Sequence, residues 1–319
     1  MSVSAIPNSI VMSAPGQHVE HEVIPSAVAR WRDSENAVAP RSYYGEVVRR
    51  LLRDRMALVA FAALVLIVGA TIVAPVLTAE DPLTGDVSAR LRPIGTPDHF
   101  LGTDEQGRDI FARLLYGGRL SLLAGIIPVA IATVIGTLVG SLAAYLGRTT
   151  GAVLMRVMDM SYAFPAILLA IAITASLGAG VSSSIIALSI VFIPPISRVA
   201  ESATKHVMVQ EYIEAGRISG ASTLRVIADQ VLPNIFSPIF VYASSLVGLS
   251  ILIASGLSFI GLGSAPPTPE WGAMLNSMRG SVYNQPAVVA LPGLLIFATS
   301  VVFNLLSTSF RDALDVKHS

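Results

Sequence analysis

Side chains able to do chemistry are few in this 319-residue chain. Its five histidines, His18, His21, His99, His206 and His318, show no metal-ligand spacing. His18 and His21 stand at i,i+3 in a polar N-terminal stretch, where chance explains the pair better than a site does. The absence of cysteine removes thiolate ligands, disulfides and Cys nucleophiles together. No nucleophile, base and acid fall into a grouping that one cleft would hold, so the chain is not expected to be an enzyme, and no metal is assigned. Hydrolysis of ATP within the chain is excluded too. A P-loop wraps phosphate with Gly-Lys-Ser/Thr, and the only two lysines are Lys205 after Thr204 and Lys317 after Val316.

The polar segment with the most organised pattern lies at 203–233. Val209, Tyr212, Ile213 and Gly216 recur at i, i+3, i+4, i+7, and Leu224, Ile227, Ala228 and Val231 repeat that spacing. This predicts two short amphipathic helices. Gly220 falls between them, where a tight corner makes positive φ cheap, Ser222 is a candidate N-cap, and Leu232-Pro233 ends the second helix. Glu214 and Arg217, at i,i+3, would brace the first helix. Periodicity alone fits equally well a hairpin lying on lipid headgroups and an element gripped by another protein.

The elements that must hold this segment are membrane spans. Hydrophobic residues make up 53% of the chain, charged residues 13%, and the mean hydropathy is +0.68, outside the soluble range. The net charge of zero gives no field for nucleic acid. A bilayer core needs about 20 apolar residues per helix, and six stretches qualify: 56–77, 120–146, 153–178, 183–203, 234–262 and 288–309. The fold class expected is therefore all-α and integral to the membrane. Its organisation is a tail over 1–48, a first span within 49–77, an external segment at 78–119, a five-helix core over 120–309 and a short tail at 310–319. With the amino terminus in the cytoplasm, only Arg90, Arg92, Arg108, Arg113, Arg119 and Arg279 lie outside, leaving 15 of the 21 Lys and Arg inside. Both termini and the 203–233 loop then face the cytoplasm.

Arg156 and Asp159, near one end of the third stretch, read as a paired helix end. No other ionisable residue approaches a midplane, which argues against a proton- or ion-coupled carrier or a channel. If solute is moved actively, the motor is another chain.

The string Glu214-Ala215-Gly216-x3-Gly220-x9-Gln230-x-Leu232-Pro233 resembles the E-A-A-x3-G-x9-I-x-L-P loop of ABC importer permeases, with Gly216 for the second Ala and Gln230 for Ile. Gly216 should loosen the first helix by up to about 1 kcal/mol. Four further segments are similar to the dipeptide/oligopeptide/nickel branch, in particular its second permease subunit. They are Asp98 to Asp109 with Arg113-Leu114-Leu115-Tyr116-Gly117, Met155 to Asp159 with Phe164-Pro165, Ser258 to Gly263 with Pro266 to Gly272, and Arg311 to Asp315.

The resemblance implies a type I importer architecture in a bacterial inner membrane, with a cytoplasmic coupling helix. Glu214, Ala215, Gly216, Arg217, Gly220, Leu232 and Pro233 would meet the ATPase. It further implies a heterodimer with a second permease, two ATP-binding-cassette subunits carrying ATP and Mg, an extracytoplasmic substrate-binding protein, and peptide as cargo, with nickel or another small solute as the alternative. Gly102, Thr103, Asp104, Gly107, Arg108 and Asp109 form its external motif. Residue chemistry leaves that motif open between a folded cap over the pore mouth and a contact for the delivery protein. Leu101 to Asp104 reads as a turn followed by a short helix from Glu105. Pro266-Pro267-Thr268-Pro269 reads as a stiff extended connector, and Glu270 and Trp271 as interface anchors.

Overall fold

The computed structural model describes residues 43–147, 149–213 and 223–314, among which there are helices and loops but no strand. Contacts divide the chain after Glu46. Helix α1 (Tyr43–Arg53) begins in the first unit and ends in the second, which holds every later element. Its start lies inside the stretch read as a tail.

After α1 come α2 (Arg55–Ile72), α3 (Ala74–Leu77), α4 (Ile110–Leu146), α5 (Thr150–Tyr162), α6 (Ala166–Leu177) and α7 (Val181–Met208). Beyond residue 222 follow α8 (Thr223–Val226), α9 (Leu232–Phe259), α10 (Trp271–Ser277) and α11 (Pro286–Leu314). Five of the helical stretches are long and apolar enough to cross a membrane. The number becomes six when α5 and α6, bent by 87° at their junction, count as one span.

Two boundaries differ from the hydropathy reading, each for a local reason. The stretch at 120–146 is the inner part of a helix starting at Ile110. Arg113 and Arg119 look like charges that end a span, yet Arg113 is 3% exposed. Arg119 turns its guanidinium onto the carbonyls of Thr71 (2.8 Å) and Ile72 (3.0 Å), which end α2 without helical partners. The stretch at 153–178 is broken at Ala163-Phe164-Pro165. Pro165 has no N–H for a helix interior, and its ring pushes the residue before it out of the α region, so α6 restarts at Ala166.

The core is organised around α4, whose small residues let backbones approach. A Cβ on Gly125 would overlap Ile251 of α9, and one on Gly140 would overlap the Ser197 carbonyl of α7. Lipid supplies no hydrophobic force between spans, so close packing and hydrogen bonds hold them together. Ser307 Oγ donates to the Val241 carbonyl (3.0 Å) and Ser300 Oγ to that of Gly248 (2.9 Å), tying α11 to α9. Thr204 Oγ1 donates to Ser141 Oγ (3.2 Å), tying α7 to α4.

Candidate functional site

The helix ends gather at two poles. At one, the 78–109 segment folds into a cap, and all six residues of the external motif are buried in it. Gly102 and Gly107 have φ of 81° and 74°, and a Cβ on either would overlap backbone of the facing loop, Arg92 or Asp86. Asp104 Oδ1 accepts from the backbone N–H of Gln106 (2.8 Å) and Arg108 (3.0 Å), while Oδ2 accepts from Arg108 Nε (2.7 Å) and lies 3.5 Å from Arg113 Nε. Thr103 Oγ1 accepts from Arg92 N (2.8 Å) and donates to the Ala89 carbonyl. Asp109 caps α4 through Ala112 N (2.7 Å) and holds His99 Nδ1 at 3.0 Å. The helix expected from Glu105 is therefore a turn, since Asp104 takes its amides before α4 can start.

Arg113, outside the residues singled out for the motif, closes the cap. Besides Asp104 it donates to the carbonyls of Pro82 (2.8 Å) and Pro267 (3.2 Å), joining loops from three parts of the chain. Ser281 Oγ donates to Glu105 Oε1 (2.6 Å) and Gln285 Nε2 to the Leu91 carbonyl (3.0 Å), so the cap also clamps the segment between α9 and α11. The motif folds a lid over this pole, and none of its six residues offers a surface.

The expectation of interface anchors at Glu270 and Trp271 is overturned by their burial, 2% and 1% exposed. Glu270 caps α10, accepting from the N–H of Gly272 (3.0 Å) and Ala273 (3.1 Å) and from Ser121 Oγ (3.3 Å). Burial pushes its carboxyl pKa up, opposed by the hydrogen bonds from Ser258, the two amides and Ser121. Trp271 donates Nε1–H to the Leu114 carbonyl (2.9 Å). The prolines before them do not run straight either, because Thr268 N–H returns to the Ala265 carbonyl (3.2 Å) and closes a turn.

At the other pole, Asp159 pairs with Arg198 of α7 rather than with Arg156. A cavity of about 600 Å³ opens there, lined by Arg198, His206, Asn234 and Pro238 among others. Of the residues assigned to coupling, Glu214, Ala215, Gly216, Arg217 and Gly220 lie outside the described residues, and Leu232 and Pro233 begin α9.

The flanks of that gap are described. Ile213 (0% exposed), Val226 (1%) and Val231 (0%) belong to the same core cluster as α4, α7 and α9, while Val209 and Tyr212 are exposed. The expected stripes at i, i+3, i+4, i+7 do not hold as buried faces on either flank: of the described members only Ile213 is buried on the first, and Ala228 is exposed on the second. Pro233 has no N–H for Asp229, so the chain widens into a π-helical turn over Ile227–Val231, with Leu232 N–H reaching back to the Ile227 carbonyl. In that turn the inward residues stand five apart, at Val226 and Val231.

Residues 136–317 match the family described as binding-protein-dependent transport system inner membrane component, more than half of the chain. The chain belongs to this family. Residues 42–93 match the N-terminal TM domain of oligopeptide transport permease C. The permease is 40% identical over 277 residues to the glutathione transport system permease protein GsiD of Pectobacterium atrosepticum, covering 87% of this chain and 92% of that one. To the protein so described in Escherichia coli O157:H7 it is 41% identical, covering 87% and 91%. In fold it is similar to a solved inward-facing structure of the MetNI methionine ABC transporter, with a TM-score of 0.50 at 18% identity over 63% of this chain and 96% of that one. The permease is thus a multi-pass inner-membrane subunit with the type I ABC importer fold, built to work with permease, ATPase and substrate-binding subunits.

Proposed function

We propose that this permease pairs with a second, similar permease to carry peptides inward, including ones as small as the tripeptide glutathione, and that two ATPase subunits drive it through the 203–233 loop. The glutathione permeases at about 40% identity support the peptide cargo. The charge distribution of the loops supports cytoplasmic termini, with the capped pole outside to receive solute from an extracytoplasmic binding protein. ATP and Mg stay with the partner subunits; this chain changes access to the path and lowers no chemical barrier.

The observation that carries the coupling role is the burial of Ile213, Val226 and Val231 in the core shared by the spans. A loop rooted at both flanks in α7 and α9 transmits force, whereas a hairpin lying on headgroups would point those side chains at lipid. Glu214 to Gly220 would then form the surface pressed by the ATPase.

The broken helix supports a place for the path. Ala163, Phe164 and Pro165 are exposed, and irregular backbone at membrane depth is tolerated only against protein or water. Beside them lies a cavity of about 390 Å³ bounded by Tyr162, Phe192 and Tyr242. The junction would therefore face the second permease and the solute.

Uptake by proteoliposomes holding the whole complex tests the coupling role. Glu214→Ala and Gly220→Leu should each abolish uptake while membrane insertion survives, and full uptake by either variant would sink it. For the path, Tyr242→Ala should change the half-saturating peptide concentration; an unaltered uptake curve would place the path elsewhere.

A further inference from the structure

Helix α1 has a face that neither the fold nor the import cycle uses. At 3.6 residues per turn, Val47, Val48, Leu51 and Leu52 fall within an arc of about 140°, and Arg49, Arg50 and Arg53 within an opposite arc of about 100°. Only one edge of the apolar arc is covered. Val47 is 8% exposed, whereas Val48 and Leu52 are 53% and 62% exposed and adjoin the exposed Arg49 and Arg53.

The position of this bare edge is fixed. Asp54 alone separates α1 from α2, the first apolar span. Its extended backbone (φ −78°, ψ 112°) ends α1, while its carboxylate caps α2 through Met56 N (2.9 Å) and accepts from Ser309 Oγ of α11 (2.8 Å). The bond to α11 ties this corner to a second span, so α1 lies where the hydrocarbon core gives way to headgroups. From Tyr43 to Arg55 the chain carries four arginines against two acids, Glu46 and Asp54, the second already committed to the cap.

We infer that α1 is an interfacial helix that binds the anionic phospholipids of the bilayer crossed by α2, with Val48 and Leu52 in the acyl boundary and the arginines among the headgroups. An apolar edge beside a cationic face, held at the end of a span, is the arrangement such lipids recognise. A protein partner would have to cover that edge at the same depth, where lipid is already present. The inference is independent of the cargo and of the coupling loop.

The cysteine-free sequence makes the test direct. Leu52→Cys and Arg49→Cys, each labelled with an environment-sensitive fluorophore in the full-length permease, are compared in nanodiscs of phosphatidylcholine alone and with a third phosphatidylglycerol. The Leu52 probe should be quenched severalfold more by shallow doxyl lipid than by aqueous iodide, and the Arg49 probe should show the reverse. Phosphatidylglycerol should raise lipid quenching at Leu52, and Arg49→Glu with Arg53→Glu should remove that response. Iodide access at Leu52 in both bilayers overturns the inference. So does shielding from both quenchers, which would mean a protein cover, and so does lipid quenching indifferent to phosphatidylglycerol.

Discussion

The two poles of the permease solve opposite problems. At the centre of the cap the charges are buried and paired: Asp104 and Arg108 are 2% and 3% exposed and share an ion pair, with Arg108 Nη1 left without a partner, and Arg113 reaches three separate loops. At the opposite pole the ion pairs are open to solvent, with Arg225 and Asp229 showing 77% and 63% side-chain exposure at 3.4 Å. Exposed pairs of that kind contribute little and re-form easily, whereas breaking a buried pair leaves an uncompensated charge and is costly. The lesson is one of mechanics. A surface that must hold its shape while the spans rock is locked by desolvated charge, and a surface that must respond to a motor keeps its charges in water and roots only apolar residues in the core.

Four substitutions would break or sharpen this contrast. The largest effect should come from Asp104→Ala, which leaves Arg108 and Arg113 buried without their shared carboxylate and should cost about 3–5 kcal/mol. A large fall in the detergent-solubilised melting temperature is expected, and an unchanged melt would remove the network from the account. Gly107→Ala forces a Cβ into the Asp86 backbone at positive φ and should cost about 3 kcal/mol, seen in the same melt.

Near pH 8 Glu270→Ala should cost about 1–2 kcal/mol through the lost cap of α10, whereas Glu270→Gln, which keeps a side-chain acceptor without a buried charge, should be at least as stable as wild type. Because burial raises the folded pKa of Glu270, the stability it contributes is full below the ordinary carboxylate value and falls as pH rises through the raised one. Melts of Glu270→Gln and wild type should therefore converge on going from about pH 8 to about pH 5; a gap that widens with acid would reverse the sign. Smallest of all, Arg225→Ala should change stability by under about 0.5 kcal/mol. A loss comparable to that of Asp104→Ala would erase the difference between the poles.

Hydropathy located the spans because about 20 apolar residues are needed whatever the fold, and α2, α7, α9 and α11 lie near the expected positions. It failed where a charge was partnered. Arg119 ended the window, yet both it and Arg113 sit inside α4: Arg119 donates to the carbonyls of Thr71 and Ile72, and Arg113 meets Asp104 and two carbonyls from distant loops, partners that spacing along the chain cannot reveal. Asp159 was read with Arg156, its neighbour in sequence, and meets Arg198, 39 residues away. Glu270 and Trp271 were read as interface residues on residue type alone; their burial depends on Ser121 and the Leu114 carbonyl of α4. Pro233 was legible as a helix end but not as the site of a π-helical turn, and Pro165 was passed over inside one continuous stretch at 153–178, where the helix bends by 87°, because hydropathy does not register a missing N–H.

The central claim is that the 203–233 loop receives the stroke of a separate ATPase. Mild-detergent isolation of the tagged permease tests it most directly. A P-loop ATPase should be recovered with the wild-type chain and lost from Gly220→Leu, with the cap variant Glu270→Gln keeping it. Isolation of the wild-type permease without any ATPase, or equal recovery and uptake with Gly220→Leu, would contradict the account.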